Sequence, residues 1–318
     1  MNVKNLHTQE QIKRVDFPTK NIDKTIIHNT EIIPEWRENR GYILKFSNKK
    51  YQDNNKCILY VHGGGFTANQ PKDNTYITLC AILVHLTKCD VYCPDYTLAP
   101  DASYPTQPNQ IINLAKKLKG NYSKIILGSD SAGGCIAMTC LLSNSILFYS
   151  SFFISPYLNL KNDSESYKTR AWCEKTRTGD PIFYQSSKEV KKYSDKLALE
   201  YLKYKKYLND PIANPFLATK TMIKKLPPLL IICGDNEILR NDSVEFCSKA
   251  QEVNDNVHFS LYDGMWHDWP LYYQTASKNL GEQSYYQIAG FCDGIRRGKT
   301  FKYKYQKSMR DVKCNIFL

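Results

Sequence analysis

The sequence predicts an α/β fold in which helices cover both faces of a mostly parallel central sheet. Short, nearly continuous apolar runs alternate with longer stretches of helical character along most of the chain. Apolar runs of this kind are typical of strands buried on both faces, as they are in parallel sheets. One long polar stretch interrupts the alternation, and we expect it to form a helical cap over the sheet.

The elements of this fold are predicted in order from the position of each run. A loosely alternating segment at residues 41–46 predicts the first strand. Later strands are predicted at residues 57–61, 91–96, 124–127, 146–154, 229–233 and 257–262. Helices are predicted between and after them, at residues 74–86, 107–118, 132–142, 242–253 and 277–292. Such alternation of strands and helices is characteristic of a parallel sheet with helices packed on both faces.

The chain is long enough for one large domain, and we predict that residues 1–318 form a single domain. Residues 161–209 are polar, charged and rich in tyrosine, and they contain no pattern of a buried strand. This stretch is too short to enclose a core of its own, so we expect it to be an inserted cap element. Residues 1–25 are expected to pack with it as a second cap element.

Cysteine use and apolar segments bear on the compartment of the protein. The 11 cysteines are scattered singly without a CxxC pair, so the sequence predicts neither a disulfide framework nor a metal site. No apolar run approaches the roughly 20 residues that span a bilayer, and the N-terminal residues lack the apolar core of a signal peptide. A reducing environment, and therefore a cytoplasmic location, fits this pattern best.

The net charge of +12 is concentrated at the end of the chain. Residues 294–318 contain eight basic residues and one acidic residue, which defines a basic C-terminal tail. The simplest interpretation is a solvated tail. A weak contact of the tail with an anionic membrane surface is the alternative, whereas no motif predicts specific binding to nucleic acid. The sequence does not predict an oligomeric state.

A candidate nucleophile follows the strand predicted at residues 124–127. Residues 129–134 read Ser-Asp-Ser-Ala-Gly-Gly, and a predicted helix begins within them. A sharp strand-to-helix turn exposes a serine hydroxyl when small residues stand two positions before and after it. Ser131 has Gly133 after it, while Ser129 occupies the earlier position, where glycine is usual. A glycine-rich turn with an incidental serine is the alternative for this segment alone.

A glycine-rich loop follows the strand predicted at residues 57–61. Residues 62–65 read His-Gly-Gly-Gly, and glycine leaves its backbone N–H group unobstructed. A tetrahedral intermediate needs two or three N–H donors aimed at its negative oxygen, so we predict an oxyanion hole formed by Gly63, Gly64 and Ala132. The loop lacks both common spacings of a phosphate-binding loop, which argues against that alternative. The residues expected to support the two motifs are His62, which orients its loop, Gly65, Asp130 and Gly133.

Further motifs accompany these two in a fixed order. HGGGF is followed by DYTLAP at residues 95–100, SDSAGG, DPIANPF at residues 210–216 and PPLLII at residues 227–232. This series resembles the hormone-sensitive-lipase group of α/β-hydrolases over about two-thirds of the chain. The resemblance implies the α/β-hydrolase fold, a Ser–acid–His triad, a helical cap, and hydrolysis of carboxylic esters as small-molecule substrates without a cofactor.

The resemblance places the triad acid two residues before the leucine of a DxLR-like segment. That position is Glu237, within residues 235–240 (Asp-Asn-Glu-Ile-Leu-Arg), and Asp235 is the alternative. His267 is the expected base, because the order serine, acid, histidine is that of α/β-hydrolases. Only one other histidine follows the acid, and it lies inside a predicted strand. The predicted catalytic residues are therefore Ser131, Glu237 and His267.

These expectations describe a serine hydrolase that cleaves carboxylic esters through an acyl-enzyme intermediate. In the expected mechanism, His267 takes the proton of Ser131, which attacks the ester carbonyl. The resemblance implies short- to medium-chain acyl groups. An amidase such as an arylformamidase is an alternative, because the same oxyanion chemistry cleaves formamides. A non-catalytic ligand receptor of the same fold is a second alternative, although such receptors typically lose the serine or the histidine.

Overall fold

A computed structural model describes residues 30–38, 41–48, 50, 53, 55–176, 178–272 and 278–296. The cap element expected at residues 1–25 lies outside the described residues, and so does the basic tail from residue 297 onward. Residues 161–209, which are predicted to form the inserted cap, are described apart from residue 177. We refer to these residues as the cap segment.

A single sheet of eight strands crosses the described part of the chain. The strands are β1 Thr30–Glu38, β2 Gly41–Asn48, β3 Lys56–Val61, β4 Asp90–Pro94, β5 Lys124–Asp130, β6 Ser150–Ile154, β7 Leu229–Gly234 and β8 Val257–Tyr262. Their spatial order is β1-β2-β4-β3-β5-β6-β7-β8. β2 pairs antiparallel with both β1 and β4, and every other neighbouring pair is parallel. The predicted mostly parallel sheet is therefore confirmed.

Helices pack on both faces of this sheet, as predicted. The α-helices of the described residues are α1 Asn74–Thr87, α2 Thr106–Leu118, α3 Ser131–Asn144, α4 Ser166–Thr169, α5 Ser187–Leu202, α6 Lys220–Ile223, α7 Arg240–Gln251 and α8 Lys278–Arg296. Residues of α1 and α8 share one apolar layer with Ile58 and Tyr60 of β3. Residues of α2, α3 and α7 share the opposite layer with Leu59 and Val61. Because successive strand residues point to opposite faces, strands covered on both faces are apolar throughout.

None of the helices that the structure describes combines the length and the apolar character that crossing a bilayer requires.

Apart from shifts of a few residues at element ends and two short helices, the observed elements differ from the predicted ones mainly at two places. The sequence pattern does not predict β1, an edge strand that pairs with β2 through a register shift between Pro34 and Trp36. The strand predicted over residues 146–154 is shorter, because β6 begins at Ser150 and a 3₁₀-helix at Ser145–Leu147 precedes it. Ile146 is 90% exposed in that helix, so its apolar side chain extends the apolar run without being buried.

The loops at the carboxyl ends of the parallel strands meet at one edge of the sheet. The His-Gly-Gly-Gly loop follows β3, Ser131 follows β5, Glu237 follows β7 and His267 follows β8. β3 and β5 are direct neighbours, which sets the glycine-rich loop beside the turn that carries Ser131. Segments far apart in the sequence thereby reach one site.

Candidate active site

Ser131 occupies the turn between β5 and α3 in a strained backbone conformation. β5 ends at Asp130 and α3 begins at Ser131 itself, whose φ is 46°. A positive φ is costly for a residue with a side chain, and such strain is found at functional sites. Gly133 permits the turn, because a Cβ atom there would lie 2.2 Å from the Val61 carbonyl oxygen. Ser129 is fully buried within β5, so the strand accommodates serine at the usual glycine position.

In the structure His267 lies between Ser131 and Glu237 and is close to both. His267 Nε2 lies 2.9 Å from Ser131 Oγ, and His267 Nδ1 lies 3.6 Å from Glu237 Oε2. All three residues are buried. A hydroxyl, an imidazole and a carboxylate in this order are the parts of an activated nucleophile, because the imidazole can take the hydroxyl proton while the carboxylate orients it.

The two candidate acids have different surroundings. Glu237 is fully buried, and its Oε1 accepts a hydrogen bond from Cys233 Sγ at 2.6 Å while its Oε2 faces His267. Burial raises the pKa of Glu237, and the contact with His267 opposes that effect. Asp235 instead forms an ion pair with Arg240 at 2.8 Å. The structure therefore places Glu237 beside the imidazole and Asp235 beside a guanidinium.

The Asp130 carboxylate ties the glycine-rich loop to the nucleophile turn. Tyr60 and Tyr76 donate hydroxyl hydrogen bonds to it at 2.9 and 3.0 Å, and the Gly63 N–H group donates to it at 3.1 Å. In this structure the Gly63 N–H group is directed at Asp130 and not toward the space beside Ser131, so its role as an oxyanion donor stays a prediction. Gly63 also matters for packing, since a Cβ atom there would lie 2.3 Å from Asp130 Oδ2.

Gly64 and Gly65 carry the N–H groups that this loop leaves available. Neither amide donates a backbone hydrogen bond within the described residues, and the φ angles are 109° and 60°. A Cβ atom at Gly64 would lie 2.1 Å from the Ala68 carbonyl oxygen, so the loop requires glycine there. The Ala132 N–H group lies in the first turn of α3, where a helix leaves its amides without partners. Gly64, Gly65 and Ala132 are therefore the candidate oxyanion donors, with Gly65 in the place predicted for Gly63.

His62 holds the glycine-rich loop in position. Its ring stacks on the Tyr96 ring with centroids 4.3 Å apart, and its Nδ1 lies 2.9 Å from the Gly63 carbonyl oxygen. The Tyr96 hydroxyl donates to the His62 carbonyl oxygen at 2.8 Å. Burial lowers the pKa of His62 to about 4, so its imidazole is neutral at pH 7. These contacts fit a residue that orients the loop, the role expected for it.

A second carboxylate reaches the nitrogen that faces Ser131. Asp268 Oδ2 lies 3.1 Å from His267 Nε2, and the backbone at Asp268 is left-handed, with φ at 55°. Burial by itself would lower the pKa of His267, but the charges of Asp268 and Glu237 outweigh it and raise the pKa well above its usual value. Sequence reasoning missed Asp268. The only feature of the sequence that could have indicated Asp268 is its position directly after His267, the expected base.

The cap segment forms an apolar wall beside the glycine-rich loop. A Cβ atom at Gly65 would lie 2.8 Å from Leu197 Cδ1 on α5, so this side chain touches the loop directly. Tyr201, also on α5, stacks on Phe66 with ring centroids 4.1 Å apart. Phe183 lies beside the His267 ring, with 5.2 Å between centroids. The space above Ser131 is therefore bordered by large apolar side chains, as is usual for small-molecule sites.

The cap segment also holds the loop that carries Glu237. Asp180 is fully buried, and its carboxylate accepts the Ile238 N–H group at 3.1 Å. Ser166 donates to the Ile238 carbonyl oxygen at 2.6 Å, and Asn236 donates to a cap carbonyl oxygen at 2.7 Å. Burial raises the pKa of Asp180 to about 7. The residues on both sides of Glu237 are thus hydrogen-bonded to the cap segment.

Residues 58–271 of the chain match a family model described as alpha/beta hydrolase fold. An esterase of Acinetobacter venetianus is 30% identical over 232 residues, a match that covers 68% of this chain and 68% of the esterase. A putative alpha/beta hydrolase of Acanthamoeba polyphaga mimivirus is 22% identical over 234 residues, covering 70% of this chain and 63% of that protein.

Solved structures provide a further comparison. An esterase from the bacterial hormone-sensitive lipase family superimposes with a TM-score of 0.70 at 21% identity, covering 92% of this chain and 99% of that one. Brefeldin A esterase, a bacterial homologue of human hormone-sensitive lipase, superimposes with a TM-score of 0.70 at 16% identity, covering 85% of this chain and 77% of that one. These likenesses concern the fold.

Proposed function

This chain belongs to the α/β-hydrolase family and is a carboxylesterase-like hydrolase, and from that premise we propose that it cleaves carboxylic esters by acyl transfer through Ser131. The family match confirms the α/β-hydrolase fold and the resemblance drawn from the ordered motifs. The observation that carries the proposal is the 2.9 Å contact between Ser131 Oγ and His267 Nε2 at a left-handed strand-to-helix turn.

In the proposed first half-reaction, His267 removes the hydroxyl proton as Ser131 Oγ attacks the ester carbonyl carbon. Glu237 holds His267 with Nδ1–H toward its carboxylate, so the Nε2 lone pair faces the hydroxyl, and it stabilises the imidazolium that forms. The carbonyl oxygen becomes an oxyanion and accepts hydrogen bonds from Gly64, Gly65 and Ala132. When the tetrahedral intermediate collapses, the C–O bond to the alcohol breaks and His267 donates its Nε2 proton to the leaving oxygen.

In the proposed second half-reaction, water takes the place of the alcohol. His267 removes a proton from this water, which attacks the acyl carbonyl carbon, and the same N–H groups stabilise the second oxyanion. Collapse of this intermediate breaks the bond between the acyl carbon and Ser131 Oγ. The proton then returns from His267 to Ser131, and the carboxylic acid leaves.

The proposal is tested with a fluorophosphonate probe and a substrate panel. The probe is expected to label Ser131 in the folded protein, as located by mass spectrometry of the digested adduct. The panel compares p-nitrophenyl esters from acetate to decanoate with a formanilide, and we expect faster turnover of short- to medium-chain esters. Folded protein that neither reacts with the probe nor hydrolyses any ester would contradict the proposal, and preference for the formanilide would favour an amidase.

The apolar wall of the cap segment is expected to determine the acyl-chain preference, and substitutions in it can test this. Leu197 touches Gly65, a candidate oxyanion donor, so it borders the space expected for the acyl chain. Leu197→Ala is expected to raise the kcat/KM ratio of p-nitrophenyl octanoate to acetate about tenfold, since each buried methylene contributes about 0.8 kcal/mol. Val190→Ala is the control, because Val190 is fully buried on the same helix. An equal change of the kcat/KM ratio in both variants would show that the effect comes from loosening of the cap segment and not from space beside Gly65.

A further inference from the structure

His267 Nε2 has two neighbours that compete for the same proton. It lies 2.9 Å from Ser131 Oγ and 3.1 Å from Asp268 Oδ2. Asp268 is buried, and its second oxygen, Oδ1, has no hydrogen-bond partner among the described residues. A carboxylate in this position cannot lie beside a bare nitrogen lone pair without repulsion, so a proton is required between Asp268 and His267.

Two arrangements satisfy this requirement. His267 carries protons on both nitrogens, with Nε2–H donated to a charged Asp268, or Asp268 is itself protonated and donates to the Nε2 lone pair. In either arrangement the pair holds one proton at the atom that must receive the Ser131 proton. Ser131 is a hydrogen-bond acceptor in the first case and competes for the lone pair in the second. In neither case is His267 ready to act as the base.

We propose that Asp268 sets the pH above which the site becomes active, by holding a proton at His267 Nε2 that must leave before Ser131 can be deprotonated. The inference rests on the proposed roles of Ser131 and His267 and goes beyond them. Because Asp268 touches His267, it acts on the reacting atoms directly. Loss of the proton to solvent frees the Nε2 lone pair, after which the acyl-transfer steps proceed as described.

The other charged groups near this pair lie on separate elements. Glu237 faces Nδ1 from the loop after β7, and the buried Asp180 carboxylate interacts with His267 electrostatically from the cap segment. Asp130, at the end of β5, interacts with Asp268. Tyr60 and Tyr76 hydrogen-bond to Asp130 and remain neutral, because burial raises the pKa of each phenol well above its usual value. Among the residues that the structure describes, the ionisable groups that interact with the imidazole are therefore carboxyl groups, and each charged one favours the imidazolium.

The protonation behaviour of the two groups agrees with a shared proton. The pKa of His267 is raised well above its usual value against the opposing effect of burial. Burial raises the pKa of Asp268, and the contact with His267 lowers it. Both shifts favour a proton held between the two groups. The sign of the effect on activity follows, because the base is blocked below the raised pKa of His267 and becomes available as the pH rises through it.

The test compares Asp268→Asn with the wild-type protein in two measurements. Asparagine keeps the shape of the side chain and tolerates the left-handed backbone, so this variant removes the titratable carboxyl group with little change in geometry. NMR of ¹³C-labelled histidine measures the pKa of His267 without any turnover. The His267 signal is assigned as the one that is missing from the spectrum of His267→Gln. The kcat/KM for p-nitrophenyl acetate, measured as a function of pH, gives the midpoint of the acid limb of the activity profile. Both midpoints are expected to fall by about 1–3 pH units in Asp268→Asn.

Two further variants keep the test specific. Asp263→Asn removes an exposed charge from the same loop and should leave both midpoints unchanged. Asp268→Gly also accepts a positive φ and should reproduce the shift if the carboxylate is its cause. Equal midpoints for Asp268→Asn and wild type would overturn the inference. An NMR shift without hydrolysis of any ester would uphold the shared proton and overturn the proposed function instead.

Discussion

Ser131→Ala is expected to lower kcat for p-nitrophenyl butyrate by about 10⁵-fold or more. The expected loss is this large because the acyl-enzyme cannot form without the hydroxyl, and only oxyanion stabilisation and substrate binding remain. The structural change is confined to one oxygen atom at the start of α3. Circular dichroism and thermal unfolding should therefore remain close to those of the wild type. Steady-state kinetics on freshly purified protein, with inhibition by a fluorophosphonate as a check for contamination, measures the loss.

The chain offers a matched control two residues earlier. Ser129 is also buried, and its hydroxyl has no hydrogen-bond partner among the described residues. Ser129→Ala removes an equivalent hydroxyl oxygen from β5 and is expected to retain activity within about threefold of the wild type, because that hydroxyl makes no hydrogen bond to the described residues. If Ser131→Ala kept wild-type turnover, or if both alanine variants lost activity equally, Ser131 would not be the nucleophile.

Glu237→Gln is expected to lower kcat/KM by about 10³- to 10⁴-fold. The neutral amide cannot stabilise the imidazolium, and its NH₂ group favours the tautomer that carries the proton on Nε2, which blocks acceptance of the Ser131 proton. The variant keeps the volume of the side chain, and its amide oxygen can still accept the Cys233 hydrogen bond. Kinetics at several pH values, combined with a thermal unfolding curve, separates a catalytic loss from a loss of folding.

Asp235→Asn is the comparison that decides between the two candidate acids. Asp235 is paired with Arg240 and is partly exposed, so removal of its charge is expected to cost less than about tenfold in kcat/KM. A reversed order, with Asp235→Asn near 10³-fold impaired and Glu237→Gln almost unchanged, would make Asp235 the acid. Equal and small losses in both variants would show that neither carboxylate orients His267.

The local pattern of apolar residues was sufficient to predict the larger part of the fold. Continuous apolar runs predict the parallel strands, because a strand covered on both faces excludes polar side chains at every position. The same reasoning misplaces the start of β6, since Ile146 is apolar and yet exposed. It also does not predict the edge strand β1, which pairs with a neighbour on one side alone and needs no continuous apolar run.

The candidate site was predictable as far as residue type and order specify it. Ser131 could be selected because it follows a buried strand at the start of a helix, and His267 because it follows the acid in the order of α/β-hydrolases. The choice of Glu237 over Asp235 came from the resemblance to the hormone-sensitive-lipase group. The choice between Gly63 and Gly65 depends on where each N–H group points. That direction is set by backbone torsions and by the distant Asp130 carboxylate, which no local pattern records. Asp268 escaped prediction for the same reason, because its contact depends on one positive φ angle.

The hydrogen bonds from the cap segment to the loop around Glu237 restrict how substrate can reach Ser131. A lid that swung away as one rigid piece would pull Asp180 and Ser166 from Ile238, and the candidate acid Glu237 would lose its support during every turnover. Access is compatible with an assembled site if Ser166 and Asp180 keep their hydrogen bonds to Ile238. α5 contacts the glycine-rich loop through apolar side chains, but its backbone is held as well, because the Tyr104 N–H group and the Tyr157 hydroxyl donate to the carbonyl oxygens of Tyr201 and Ser194. Substrate is therefore expected to enter by rotation of apolar side chains such as Leu197, while the backbone of the cap segment stays in place.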